Sequence, residues 1–146
     1  KEKKPNALLK ANEMLKEFKL DSYAKKYPNE LSGGMRQRIA LIRTYLFSKD
    51  VSLLDEPFSA LDAITKDEMH DWYMNMRRKY KTSTIFITHD VDEAILLSDR
   101  IYILGDGGIK TEIKIETSVR DNSFKLTKEF LEYKKSVIDC LESTGI

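Results

Sequence analysis

The sequence predicts an α/β fold with a mostly parallel sheet flanked by helices, and three observations carry that prediction. Short apolar or β-branched runs recur at Val51 to Leu54, Thr84 to Thr88 and Ile101 to Leu104. Helical periodicity fills the intervals, from about Ala63 to Tyr80 and from Asp90 through Leu97. Asp55-Glu56 and His89-Asp90 stand at the C-terminal ends of the first two runs. Strand, helix, strand units of these lengths imply parallel pairing with right-handed crossovers. Helices would cover such a sheet, which explains strands that are apolar runs and not alternating ones.

Each element has its own local warrant. Leu8, Ala11, Leu15 and Phe18 recur at helical spacing behind Pro5, which suits a helix start. Asp21 is placed to cap a short second helix that stops before Pro28. Leu31-Ser32-Gly33-Gly34 reads as a breaker, and a helix follows it with Met35, Ile39, Ile42 and Leu46 on one face and Arg36, Arg38 and Arg43 largely off it. The helix from about Ala63 to Tyr80 should bury Met69, Trp72, Met76 and Tyr80. Asp90 and Glu93 have the spacing of an N-cap and its capping-box partner. Gly105-Asp106-Gly107-Gly108 is a hairpin turn leading into Ile109 to Ile115, where apolar and polar residues alternate. Glu116 to Ser123 is a polar linker. A last amphipathic helix should start near Thr127, with Phe130, Leu131, Lys134, Val137, Ile138 and Leu141 on or near one stripe.

Composition narrows the function classes. A chain of 146 residues is one domain or part of one. With 41% apolar and 34% charged residues it is globular, neither disordered nor membrane-embedded. Lys plus Arg (25) nearly balances Asp plus Glu (24), so a formal charge of +1 gives no global attraction to nucleic acid, and no nucleic-acid partner is expected. The single cysteine, Cys140, forms no intrachain disulfide and fits a reducing compartment. No apolar stretch reaches the roughly 18 residues a membrane span needs. Lys1 to Lys4 lead into an amphipathic stretch and not a signal peptide. A first residue of Lys makes a processed chain or a fragment the expectation.

Three constellations carry candidate chemistry. Ser32-Gly33-Gly34 directly precedes a helix, whose N-terminus offers unpaired N–H groups and a positive dipole end. Glycines let an anion approach the backbone, so the turn suits a phosphate; a plain capped turn has the same residues. Asp55 and Glu56 sit where open α/β sheets bind ligands, beyond a strand's C-terminal end. Adjacent strand residues point to opposite faces, so one carboxylate can hold Mg²⁺ while the other orients or deprotonates an attacking water. A solvated acidic loop is the bland alternative. His89 ends the next strand and can contact a phosphate or hold a water, although a lone histidine is more often structural.

Taken together, Leu31-Ser32-Gly33-Gly34-Met35-Arg36-Gln37-Arg38 resembles the signature motif of ABC-transporter ATPases, and Val51 to Pro57 resembles their Walker B strand with its catalytic glutamate. Ser59-Ala60-Leu61-Asp62 looks like the D-loop, and His89 like the switch histidine. Glu56-Pro57-Phe58-Ser59-Ala60-Leu61-Asp62 is most similar to prokaryotic importer ATPases, and Met35-Arg36-Gln37-Arg38 to their nitrate/sulfonate/taurine branch. Ser52 departs from an all-apolar Walker B strand, and a buried, hydrogen-bonded hydroxyl would accommodate it.

The resemblance implies a partial P-loop NTPase fold of the ABC ATPase type, with a remnant of the helical subdomain at the N-terminus. Residues 1–30 would be part of that subdomain, 31–115 the signature helix plus the C-terminal half of the ATPase core, and 116–146 a linker and C-terminal helix. It implies ATP and Mg²⁺ as ligands. Glu56 would be the general base or water-orienting group, Asp55 would help hold Mg²⁺, His89 would contact the γ-phosphate, and Asp62 would couple two sites. Ser32, Gly33 and Gly34 would face the γ-phosphate of an ATP on a second subunit, in a head-to-tail dimer. Implied partners are that second ATPase subunit, transmembrane permease subunits and, indirectly, a solute-binding protein, at the cytoplasmic face of the cell membrane.

No G-x-x-x-x-G-K-[ST] run occurs in the 146 residues. Gly105 to Thr111 mimics one, but Ile109 separates Gly108 from Lys110. The chain therefore resembles the C-terminal portion of such an ATPase, and alone it should lack ATPase activity. In the family the P-loop strand lies between the strand ending at His89 and the strand containing Ile101 to Leu104. Its absence predicts compensation, by direct pairing of those edges or by exchange with a second copy. A non-transport ABC ATPase and a non-enzymatic interaction module without its own ATP site are the competing readings.

Overall fold

The computed structural model describes residues 4–47, 50–117 and 120–143. Lys1 to Lys3 of the basic start, and Ser118 and Val119 of the predicted linker, lie outside the described residues. The chain divides into two compact units. One runs to Met69 and includes Met76–Ile87; the other holds His70–Asn75 and the chain from Thr88 onward.

The first unit opens with helix α1 (Lys4–Glu17), followed by single 3-10 turns at Asp21–Tyr23 and Pro28–Glu30. Lys19 takes the left-handed conformation (φ 56°), and the Leu20 N–H bonds back to the Leu15 carbonyl at 2.7 Å, which ends the helix. Met14 and Leu20 are the buried residues here, while Leu8 of the predicted stripe is exposed. Asp21 begins its turn instead of capping it, since Leu20 holds the cap position without a side-chain bond. Pro28 starts the second turn, which Glu30 closes by accepting the Tyr27 N–H at 2.7 Å.

Helix α2 (Gly33–Phe47) buries Leu41, Ile42 and Tyr45, a stripe rotated from the predicted one. Strands β1 (Val51–Asp55) and β2 (Ser83–Ile87) pair in parallel, from Val51 opposite Ser83 to Asp55 opposite Ile87. The Tyr45 hydroxyl lies 3.4 Å from the Thr84 hydroxyl, which sets α2 against the face carrying Ser52, Leu54, Thr84 and Phe86. Val51, Leu53, Ile85 and Ile87, on the opposite face, are 49%, 72%, 62% and 57% exposed. The expected cover thus reaches one face of this pair only. Apolar runs mark both faces as burial-ready, and composition does not specify which face receives a layer.

Helix α3 (Ala63–Tyr80) has the predicted bounds. Its last turn carries Arg77, Arg78 and Lys79, favourable at the negative end of the dipole, and Lys81 closes it at φ 47° with its N–H on the Arg77 carbonyl. Met69 and Met76 are buried as predicted; Tyr73 and Met74 are buried too, while Trp72 and Tyr80 are half-buried.

The second unit contains α4 (Val91–Leu97), the antiparallel hairpin of β3 (Arg100–Gly105) and β4 (Gly108–Lys114), and α5 (Lys128–Ser143). The hairpin turns at Gly107 (φ 84°), which is open to a glycine and strained for other residues. Ile101 and Ile103 are the buried side chains of β3. The Arg120 guanidinium latches the exit of the hairpin by donating to the carbonyls of Ser98 (2.5 Å) and Ile115 (2.8 Å). The Thr127 hydroxyl accepts the Phe130 N–H at 3.2 Å and caps α5. Phe130 meets Phe124 edge-on, 5.3 Å between ring centres. Lys134 pairs with Asp92 at 2.7 Å, joining α5 to α4. Phe130 and Val137 are buried, whereas Leu131 and Ile138 of the predicted stripe are exposed.

The described strands form an α/β arrangement of two separate two-stranded sheets. Among the described residues β2 pairs with β1 alone and β3 with β4 alone, so the predicted direct pairing of the β2 and β3 edges does not form. No helix among the described residues is long and apolar enough to cross a membrane.

Candidate functional site

The first turn of α2 is built around Ser32. Its hydroxyl oxygen accepts the Met35 N–H at 3.2 Å, and its carbonyl accepts the Arg36 N–H at 3.0 Å. Ser32 is thus the N-cap, with Gly33 and Gly34 in the first helical turn. Neither glycine is required by a left-handed backbone. Gly34 is required by proximity, because a Cβ there would lie 2.9 Å from Cγ2 of Thr65. The start of α2 therefore lies hard against the start of α3.

Asp62 opens α3. One carboxylate oxygen accepts the Thr65 N–H at 3.1 Å and the other accepts the Thr65 hydroxyl at 2.6 Å. The Thr65 hydroxyl first, and the Thr65 N–H second, hold the Asp62 carboxyl below the usual carboxylate range. Between the two helix starts lies an open groove of ≈ 400 Å³, lined among others by Ser32, Gly33, Gly34, Arg38, Leu61, Asp62 and Glu68. Arg38 reaches Glu68 across it at 3.6 Å. The groove offers backbone N–H groups at a helix N-terminus and a cation, which favour an anion, beside carboxylates that oppose one.

Asp55 is exposed at the C-terminal end of β1. Glu56 follows in the left-handed region, at φ 46°. A non-glycine residue there costs on the order of 1–3 kcal/mol and persists when its surroundings over-determine it. Three contacts do so. Its N–H extends the parallel ladder to the Ile87 carbonyl at 2.9 Å, and its carbonyl accepts the N–H (3.3 Å) and hydroxyl (3.1 Å) of Ser59. Buried Pro57 and Phe58 anchor the following turn, and the Gln37 side-chain amide donates to the Pro57 carbonyl. The sequence places Gln37 within the signature-like run but gives no sign of its contact with Pro57.

The structure therefore brings Ser32, Gly33, Gly34 and Asp62 to one groove, and ties Asp55 and Glu56 to α2 through Gln37. His89 belongs to the second unit, in the short turn between β2 and α4. Asp90 caps α4 as predicted, accepting the N–H groups of Asp92 (3.0 Å) and Glu93 (3.2 Å). Glu93 does not complete the capping box. Thr88 intercepts the Asp90 N–H with its hydroxyl oxygen at 3.0 Å, and the Glu93 carboxylate accepts the Thr88 hydroxyl at 2.8 Å.

Comparison with known proteins bears on the family and the fold. The ABC transporter family profile matches residues 2–59. An aliphatic sulfonates import ATP-binding protein, SsuB of Bacillus cereus, is 41% identical over 137 residues, 94% of this chain and 55% of the relative. A sulfate/thiosulfate import ATP-binding protein, CysA of Bacillus cereus, is 44% identical over 101 residues, 69% of this chain and 28% of the relative. A solved ABC transporter of metal-chelate type, in an inward-facing conformation, superposes with a TM-score of 0.68 at 26% identity, covering 90% of this chain and 51% of that one. The chain spans about half the length of the sulfonate relatives it matches. With an α/β fold shared with ABC ATPase domains and sequence relatives among importer ATP-binding proteins, the chain belongs to the ABC transporter family.

Proposed function

We propose that this chain supplies the signature face and the Walker B carboxylates of an importer ATPase, which couples ATP binding and hydrolysis at a subunit dimer interface to solute uptake. The observation that carries the reading is the groove in which Ser32, Gly33 and Gly34 meet Asp62. A signature turn that reads a partner's nucleotide must lie beside the segment that couples the two sites. Residues 1–30 would belong to the helical subdomain facing the permease, 31–115 to the ATPase core, and 116–146 to a linker and C-terminal helix.

Each residue has a defined task in this reading. Ser32, Gly33 and Gly34 present a hydroxyl and N–H groups to the γ-phosphate of the ATP held by a second subunit. Asp62 couples the two sites. Glu56, over-determined at φ 46°, orients or deprotonates the attacking water. His89 contacts the γ-phosphate of the subunit's own ATP. Asp55 fits Mg²⁺, an ion bound by one or two carboxylates together with substrate phosphates; no cluster of three or more metal-ligating side chains stands among the described residues. Mg²⁺, when bound, would neutralise phosphate charge. A P-loop must come from outside these 146 residues, so the chain alone would not hydrolyse ATP.

Aliphatic sulfonate is the solute class we favour, because sulfonate importers align with 94% of this chain and sulfate/thiosulfate importers with 69%. The assembly would sit at the cytoplasmic face of the cell membrane, with permease subunits and a solute-binding protein as partners. The test is Glu56→Gln in the complete ATPase. Hydrolysis should fall at least about 100-fold while ATP binding is retained. Unchanged turnover would remove Glu56 from the water-orienting role. Ser32→Arg should block ATP-dependent dimerisation without unfolding the subunit, and dimerisation that persisted would remove the trans contact.

A further inference from the structure

We infer that Glu93 is a positioning residue for His89, holding the β2–α4 turn through Thr88, with His70 as its buried partner. The inference rests on the role proposed above for His89. Glu93 and His70 are each 2% exposed, and Glu93 Oε1 lies 3.4 Å from His70 Nε2. Burying a carboxylate is costly unless it is paired and hydrogen-bonded; one Glu93 oxygen accepts the Thr88 hydroxyl at 2.8 Å, and the other faces the His70 ring.

The Thr88 hydroxyl sets the direction of the chain of bonds. It accepts the Asp90 N–H at 3.0 Å and therefore has its own proton to give to Glu93. Asp90 in turn accepts the Asp92 and Glu93 N–H groups at 3.0 and 3.2 Å. The residues on both sides of His89 are thus closed into one loop of bonds through the first turn of α4. A helix cap alone would need only Asp90. The extra link, from Thr88 through Glu93 to His70, ties that loop to α3. Loss of the Thr88 proton would leave the turn capped but free to shift, and His89 would shift with it.

The test uses the complete ATPase. Thr88→Val keeps the shape and removes both hydroxyl bonds, whereas Thr88→Ser keeps them. Thr88→Val should lower kcat about tenfold or more with KM for ATP unchanged, and Thr88→Ser should restore it. The His89 ring resonance, assigned through His89→Ala, should move in Thr88→Val and return in Thr88→Ser. If His89→Ala is inactive while Thr88→Val turns over normally, the positioning inference fails and the role of His89 stands. If His89→Ala turns over normally, the reading of His89 fails. The resonance then decides the positioning: an unmoved His89 signal in Thr88→Val overturns it, and a moved one upholds it.

Discussion

The side-chain amide of Gln37 donates a hydrogen bond to the main-chain carbonyl of Pro57, joining the helix that starts at Ser32 to the turn that starts at Glu56. Pro57 is a buried residue, and the bond to its carbonyl is partly shielded from water. Gln37→Ala should therefore cost about 1–3 kcal/mol of unfolding free energy, the penalty of an orphaned buried acceptor. Gln37→Glu puts a carboxylate against that carbonyl and should cost more than Gln37→Ala. Urea unfolding of the two variants checks both the size and the order. Equal stability of wild type and Gln37→Ala would mean the bond contributes nothing to holding the Glu56 turn.

Gly34 and Thr65 are coupled by contact. A methyl group on Gly34 would lie 2.9 Å from Cγ2 of Thr65, whose hydroxyl is bound to Asp62. Gly34→Ala gains about 1 kcal/mol in helix propensity and loses about 1–3 kcal/mol to overpacking, so the net should be destabilising. Thr65→Ser removes the offending methyl and retains a hydroxyl for Asp62. In that background Gly34→Ala should become neutral or stabilising. A double-mutant cycle should read a coupling of about 1–2 kcal/mol. Additive effects would show that the glycine answers some need other than the close approach of α2 to α3.

Ser52 is 1% exposed, and its hydroxyl meets no hydrogen-bond partner among the described residues. The sequence suggested a buried, hydrogen-bonded hydroxyl, and the partner is what the structure lacks there. Its opposite number in the ladder, Thr84, directs its own hydroxyl towards Tyr45. Ser52→Ala removes the unsatisfied group with little change in volume, and should raise stability by about 1 kcal/mol. Denaturant midpoints compare the two directly. A destabilised Ser52→Ala would mean that the hydroxyl is satisfied in solution.

These cases mark what was legible in the sequence. Helix α3, the strand runs and the β3–β4 hairpin were readable because caps, β-branched runs and Gly-rich turns act locally. The buried stripes were less so. In α5, Leu131 and Ile138 repeat at the same spacing as Phe130 and Val137, yet only the latter pair is buried. Periodicity gives the apolar sector, and packing partners choose the side of it that is used. The order of Ser32 to Gly34, Asp55, Glu56 and Asp62 was visible as motifs. The proximity of Gly34 to Thr65, and of Gln37 to Pro57, was not, because each joins elements at least twenty residues apart. Glu93 is the instructive case. Its spacing from Asp90 is that of a capping box, and no local signal announces that Thr88 takes the N–H first.

Tyr80 makes the alkaline stability of the first unit testable. Its hydroxyl donates to Glu17 at 2.9 Å, and Lys79 holds the other Glu17 oxygen at 2.6 Å. Burial first, then the bond to Glu17 and the negative charge beside it, push the Tyr80 phenol up to about 12 from an ordinary 10.0. The folded state thus holds this proton more tightly than the unfolded state does. Below about pH 10 both states are protonated, and the contribution is fully present. From about pH 10 to pH 12 the unfolded chain releases its proton first, so stability falls as pH rises, and above that range the contribution is gone. Tyr80→Phe cannot ionise and should show a flatter decline over the same window, at the expense of the Glu17 bond at neutral pH. Thermal melting of both proteins from neutral to strongly alkaline pH measures the difference. Parallel melting curves across that window would mean that the Tyr80–Glu17 bond does not persist in solution.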